Sequence, residues 1–468
     1  MTLRRKSLTD LLKSFRFWLF VFFLLRLVSI THAPTETTHS WRQCFTNMVT
    51  RNFVEVDNNI IYPRISTNGN SGDIIGSEFP VFNYVNYIFS IPFGFDHWYG
   101  RLINLIVSTL GIYCFYLILR NTLSEEIAFP SAILLLFSIW FMFSRKIMPD
   151  TFSVSLVIIG WYYLFHFFRS HKILHLSLFA IFATLGVLSK IPALTLLVPI
   201  PLFFYVFSLN KKQIIQICIA SFIIILSTGI WYFYWVPYLI SIDNHKLFFP
   251  KTMGEGLNEI IPYLPQALEK FYFSSFYSYL AFCFFIFGII ILIQKKGFEL
   301  WIFTITLLVF IVFILKTGAV FPMHNYYIIP FVPIMALVAG YGLSFVPIKY
   351  RMIILFAISC ESILNQQHDF LKKSEHEYLI TIEEKLNNYM EKGDLIIVNG
   401  GINPQLIYFT HHRGWSLEPG DAHNEEKIKS FKKKGAKYLL LDKAVLQKNE
   451  MYPGVKLFED ENFYLILL

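Results

Sequence analysis

The chain of 468 residues is short of charge. Asp, Glu, Lys and Arg make up only 15% of it, against about 25% in soluble globular domains. Hydrophobic residues reach 55%, aromatic residues 18%, and the mean hydropathy is +0.51. A water-soluble single-core protein is thereby excluded, and a polytopic α-helical membrane protein is expected. Cysteine is scarce too. There are five, with no CxxC pair; Cys114, Cys218, Cys283 and Cys360 fall in apolar runs and Cys44 stands alone. That spacing supports neither a disulfide framework nor a zinc site. Walker A, GxSxG, HExxH and GxGxxG sequences are missing, so NGG at Asn399–Gly401 is a weak nucleotide signal. No internal repeat or low-complexity tract is present.

What charge there is follows a pattern. The net charge of +8 would suggest nucleic acid in a soluble protein. Here the basic residues sit in short loops between apolar runs, so topology explains them and no nucleic-acid partner is expected. Arg4, Arg5, Lys6, Lys13 and Arg16 precede the first apolar run. No A-x-A cleavage site follows, so an uncleaved first span is expected. About eleven transmembrane helices are expected, beginning with 15–30 and ending with 352–364, each needing about 17–25 residues. The pair of runs around Lys190 could be one bent element. Alternate short loops carry Arg120, Arg169 with Lys172, Lys211 with Lys212, Lys295 with Lys296, and Lys349 with Arg351. The positive-inside rule then places the N-terminus in the cytoplasm and the C-terminus outside.

Composition changes near the C-terminus. Residues 375–392 and 425–434 carry helical patterns, 404–412 reads as a helix, and 394–398 and 438–441 as strands. The runs 455–458 and 463–467 read as a hairpin across a polar turn. Two domains are expected: 1–365 in the membrane, with a large external loop at 31–101 that carries the site, and a small external α/β domain at 366–468.

The chemistry gathers between the first span and the rest. The stretch 34–80 is too polar for lipid and holds Glu36, His39, Trp41, Arg42, Gln43, Arg51, Arg64 and Glu78. A carboxylate such as Glu36 or Glu78 could act as a general base on a hydroxyl, or be a solvated loop acid. HSWRQ, His39–Gln43, supplies a guanidinium for phosphate and an indole for a sugar face, or an interfacial belt. SRKIMPD, Ser144–Asp150, is a short external loop with two cations, Arg145 and Lys146, where few are expected. They could hold a lipid phosphate, with Asp150 as a second acid or an Arg partner; anchoring to headgroups is the alternative. Arg26, Arg101 and Lys190 lie in or beside apolar runs, where a cation is costly and points to function unless it snorkels. His324 and Tyr327 of HNYY open a late span and could touch phosphate or sugar.

These motifs in this order resemble the GT-C membrane glycosyltransferases. The chain is most similar to bacterial family 39 proteins, relatives of protein O-mannosyltransferases and of the aminoarabinose transferase, including the Rhizobium core-transferase-like subgroup. The resemblance spans about residues 15–350 and rests on HSWRQ, RNF, YPR, SEFP and SRKIMPD. It implies inverting transfer of a sugar from a polyprenyl-phosphate donor to a lipid, glycan or protein acceptor at the outer face of the inner membrane. It also implies a base in the first external loop and cations on the leaving phosphate. Glu36 matches the second acid of the family's Asp-Glu pair. Thr35 stands where the first acid would be, so Glu78 or Asp150 is a further candidate for the base or for a divalent metal. A transporter or flippase of lipid-linked glycans is the rival class, but it would place polar groups at mid-membrane.

Overall fold

A computed structural model describes residues 11–69, 74–246, 250–446 and 454–468. Arg4, Arg5 and Lys6 lie outside the described residues, as do 70–73 of the polar stretch. The chain forms two compact units. One comprises Met1–Ile30, Arg101–Tyr234 and Phe248–Gln367; the other Thr31–Gly100, Trp235–Leu247 and His368–Leu468.

The first unit is helical. Among the described residues four helices are long and apolar enough to cross a membrane, or five if one pair bent by 92° is a single span. Three shorter apolar helices accompany them. The helix Pro149–Ser170 is central, with 83% of its apolar window buried, whereas Phe298–Thr317 buries 17% and presents its apolar side chains outward. Several expected spans are interrupted. The run 127–143 breaks at Ser138, whose hydroxyl caps the short helix Ile139–Phe143 through the Trp140 amide. The run 192–209 opens as a 3-10 segment, Ile191–Leu197, and becomes α-helical only at Ile200–Val206. Pro192, Pro199 and Pro201 explain this, because proline lacks the amide that continues a helix. The two runs around Lys190 are thus separate elements joined by an extended residue.

Close helix crossings are made by small residues. A Cβ on Gly288 would fall on the carbonyl of Val338, and one on Gly342 would meet the Gly288 backbone at 3.0 Å. Replacing Gly288 by Leu is therefore expected to lower stability by about 1–3 kcal/mol, read as a drop in thermal midpoint in detergent. Ala at Gly229, where a Cβ meets nothing within 4 Å, serves as the control.

The second unit is built on a five-stranded sheet of order β2-β1-β3-β5-β4. Its strands are β1 Leu395–Val398, β2 Arg413–Ser416, β3 Ala436–Asp442, β4 Val455–Glu459 and β5 Phe463–Leu467. β1 runs parallel to β2 and β3, while β5 is antiparallel to β3 and β4. The expected strands and hairpin are present, and β2 is an addition. The expected helix over 375–392 is instead a 3-10 segment, Ser374–Thr381, followed by a short α-helix, Ile382–Leu386.

Side chains alternate along β1. Ile396 and Val398 face one core and Leu395 and Ile397 the other, so both faces of the sheet are covered. The first core also takes Cys44, Phe45, Met48, Val49 and Phe53. These lie along one side of the helix Ser40–Glu55, at the spacing of an amphipathic stripe. The polar loop after the first span is therefore part of the same packed unit as the C-terminal sheet.

Its other contacts are polar. Arg51 donates to the Tyr408 carbonyl at 3.0 Å and lies over the Tyr408 ring, and Asn47 donates to the Tyr408 hydroxyl at 3.1 Å. His411 sits between two carboxylates, Glu383 on Nδ1 at 2.6 Å and Glu55 on Nε2 at 2.8 Å. The hydrogen bonds to Glu383 and then Glu55 raise the His411 pKa above 6.5, against burial and Arg51. For Glu55, burial pushes upward, but the hydrogen bond and charge of His411, with Arg51 and Lys392, hold it below 4.5. The hydrogen bond from His411 leads in lowering Glu383.

The sign follows from linkage. The raised imidazole contributes stability that is complete below its ordinary value near 6.5 and lost as pH rises through the folded value. The lowered carboxylates contribute above 4.5 and lose it in acid. Thermal stability should thus fall from pH 6 to pH 9 by more in the natural protein than in His411→Gln. These half-exposed pairs contribute about 1 kcal/mol or less. Parallel curves would contradict this.

Candidate active site

The first unit brings several of the expected residues together at one end of the helix Pro149–Ser170. Pro149 sits at the first helical position and Asp150 in the first turn, where the helix dipole favours an anion. Asp150 is 4% exposed. Lys190 is a partner, at 2.8 Å from Oδ1. Lys190 reaches it from the extended residue between Ile173–Ser189 and Ile191–Leu197. The Lys190 ammonium lies 4.7 Å from the Tyr326 ring centre and 5.6 Å from that of Tyr327. His324 stacks on Tyr326 at 5.1 Å. A small cavity of about 10 Å³ opens among Asp150, Lys190, Tyr326 and Tyr327, room for about one water.

The arginines gather around the end of the first helix, Phe15–Leu27. Its last carbonyls lack helical partners. Arg145 donates to the carbonyls of Val28 and Ser29, the latter at 2.8 Å, and Arg101 to that of Ile30 at 3.2 Å. Arg26 donates to the Met142 carbonyl at 3.2 Å and lies over the Phe141 ring. Lys146 is 5.9 Å from the Phe143 ring centre. Arg26 and Arg101 are fully buried, and Arg145 and Lys146 are 3% and 1% exposed. Arg26, Arg101, Arg145 and Lys146 are thus four buried cations of this apolar unit.

One residue that sequence reasoning missed holds the SRKIMPD loop in shape. Asn104, fully buried in the helix Tyr99–Thr122, directs its amide nitrogen at the carbonyls of Phe143, Lys146 and Met148, at 2.8–3.2 Å. Its oxygen accepts from Ser108 and Thr151, both at 3.0 Å. An Asn inside the apolar run RLINLIVS was the available signal. Asn104→Leu leaves those carbonyls without this donor and should lower stability by about 1–3 kcal/mol. Donor turnover should fall further than that loss explains, measured at a temperature where both proteins are folded.

In the second unit, Glu36 is 6% exposed and accepts from Gln43 Nε2 at 2.9 Å. Its backbone pairs with Lys372, and the Lys373 amide donates to the Thr35 carbonyl at 2.9 Å. His39 starts the helix Ser40–Glu55 from a left-handed conformation, φ 61°. Arg42 is paired with Glu78 and lies over the Phe45 ring. Trp41 is exposed. Arg64 lies 3.5 Å from Asp57. Among the described residues, no three or more His, Cys, Asp or Glu side chains gather to hold a metal ion.

Residues 77–232 match the family described as dolichyl-phosphate-mannose-protein mannosyltransferase. No curated protein matches the chain in sequence. Solved structures match its fold nearly end to end. ArnT from Cupriavidus metallidurans in the apo state is 11% identical with a TM-score of 0.63, covering 96% of this chain and 97% of that one. The same protein bound to undecaprenyl phosphate is 10% identical at the same TM-score, covering 97% and 98%. The oligosaccharyltransferase AglB from Archaeoglobus fulgidus, in complex with an inhibitory peptide and a dolichol-phosphate, is 13% identical with a TM-score of 0.55, covering 91% and 69%. The matched segment begins at the SEFP motif and runs through the SRKIMPD loop and Lys190, inside a fold shared along nearly the whole chain. The chain thus shares the fold of ArnT and AglB, and about a third of it matches the mannosyltransferase family.

Proposed function

We propose that the protein moves a sugar from a polyprenyl-phosphate-linked donor to a lipid, glycan or protein acceptor. Transfer takes place at the outer face of a bacterial inner membrane and inverts the anomeric centre. The observation that carries this reading is the set of four buried cations in the unit that also holds the Asp150–Lys190 pair. Buried cations in a membrane unit are costly and mark functional sites, and a lipid phosphate is the chemistry they suit. That ArnT has been solved with undecaprenyl phosphate supports the donor class.

In this mechanism Glu36 accepts the proton of the acceptor hydroxyl. The hydroxyl oxygen attacks the anomeric carbon as the bond to the phosphate oxygen breaks, and the electron pair leaves on the phosphate. Arg26, Arg101, Arg145, Lys146 and Lys190 stabilise the charge that grows there, and because their partners fix them beforehand, little reorganisation is needed. Glu78 and Asp150 already hold cationic partners and are the second choices for the base. His39, Trp41, Arg42, Gln43, Arg64, His324 and Tyr327 contact sugar or acceptor. The topology that accompanies this reading has about eleven spans, a cytoplasmic N-terminus, a catalytic domain at 1–365 with its site on the loop 31–101, and a periplasmic domain at 366–468.

The test is to incubate the purified protein with a polyprenyl-phosphate sugar and an envelope extract. Release of polyprenyl phosphate with a glycosylated product is expected. Movement of intact lipid across vesicles without release would contradict transfer.

A further inference from the structure

The first unit contains a second, larger cavity of about 360 Å³, within the range of about 300–1,000 Å³ typical of small-molecule sites. Its walls include Phe115, Trp161, Phe165, Phe203, Phe207 and Leu337. The Trp161 indole is tied to the Leu196 carbonyl at 3.0 Å, so its ring is fixed in the wall.

Most of the polar residues of this cavity come from helix ends. Asn121 and Thr122 end the helix Tyr99–Thr122, Arg169 is in the last turn of Pro149–Ser170, and Glu299 is in the first turn of Phe298–Thr317. Arg169 and Asp150 stand at opposite ends of one helix, about 28 Å apart at about 1.5 Å per residue. That is close to the hydrocarbon thickness of about 30 Å. The rim therefore belongs to the membrane face opposite the transfer site.

We propose that this cavity binds a phosphatidylethanolamine molecule of that opposite leaflet. Its acyl chain fills the aromatic cavity, its phosphate meets Arg169 and its ammonium meets Glu299. Arg169 is exposed and donates to the Asn121 carbonyl at 2.5 Å, which holds the guanidinium at the rim. Its planar fork suits a phosphate. A rim with one cation and one carboxylate complements a zwitterionic headgroup that has N–H donors better than an anionic one. The site is separate from the transfer chemistry and does not depend on it.

The experiment uses the full-length protein in detergent and phosphatidylethanolamine with brominated acyl chains, which quench indoles on contact. The Trp161 signal is the difference between the natural protein and Trp161→Phe. Saturable quenching of that signal is expected, reduced at least threefold in the cavity-filling Ile334→Phe/Leu337→Phe variant. Arg169→Gln, an exposed change that leaves the walls intact, should weaken binding about tenfold. Glu299→Gln should abolish a several-fold preference over brominated phosphatidylglycerol. Non-saturating quenching that is equal in all variants would overturn the proposal. So would displacement of the brominated lipid by undecaprenyl phosphate but not by unlabelled phosphatidylethanolamine, which would make the cavity a seat for the donor tail.

Discussion

Glu36→Gln is expected to lower sugar transfer by about 10²–10⁴-fold, the usual contribution of a positioned general base. The substitution keeps the shape of the side chain. It also keeps an oxygen that can accept from Gln43, which now lies 2.9 Å from the carboxylate. The fold should therefore stand, and donor binding should change little, because phosphate is held by the cations. The loss should appear in kcat with KM for the donor nearly constant, as for an interaction made only in the transition state. Glu78→Gln should behave differently. Glu78 is paired with Arg42, so its loss should disturb acceptor affinity through that arginine more than turnover.

The second large effect concerns the pair Asp150–Lys190. Both side chains are largely buried, at 4% and 14% exposure. Removing one partner of a buried pair leaves an uncompensated charge and costs about 3–5 kcal/mol. Lys190→Met should therefore lower the thermal midpoint sharply. The double variant Asp150→Asn/Lys190→Met removes both charges and should recover most of that stability. If the pair serves only the fold, the double variant recovers activity along with stability. The proposed role of Lys190 on the donor phosphate requires a folded double variant with a raised KM for the donor.

Much of the fold could be read from the sequence because it rests on local patterns. The strands β1, β3, β4 and β5 follow short apolar runs with turn residues between them. β2 escaped because RGWS has four residues, one of them Gly, and gains its strand character only by pairing with β1. The breaks near Ser138 and Lys190 sit in runs whose hydropathy does not change, so hydropathy alone could not place them. Proline was the signal for the second.

The site was legible as a set of residues and not as a set of partners. SRKIMPD and HSWRQ stood out because charge is rare in this chain. That Asp150 would take Lys190, that Arg42 would take Glu78, and that Arg145 would cap the first helix are matters of tertiary approach between distant segments. No local pattern encodes them. Asn104 shows the same limit. One Asn in an apolar run is conspicuous, but its three carbonyl partners belong to another loop.

The most direct measurement is the rate of polyprenyl phosphate release from a polyprenyl-phosphate sugar by purified natural protein and by Glu36→Gln, with donor binding checked in parallel. The account predicts release by the natural protein, and a variant that binds donor normally but releases product at least a hundredfold more slowly. Undiminished release by the Glu36→Gln protein would contradict it.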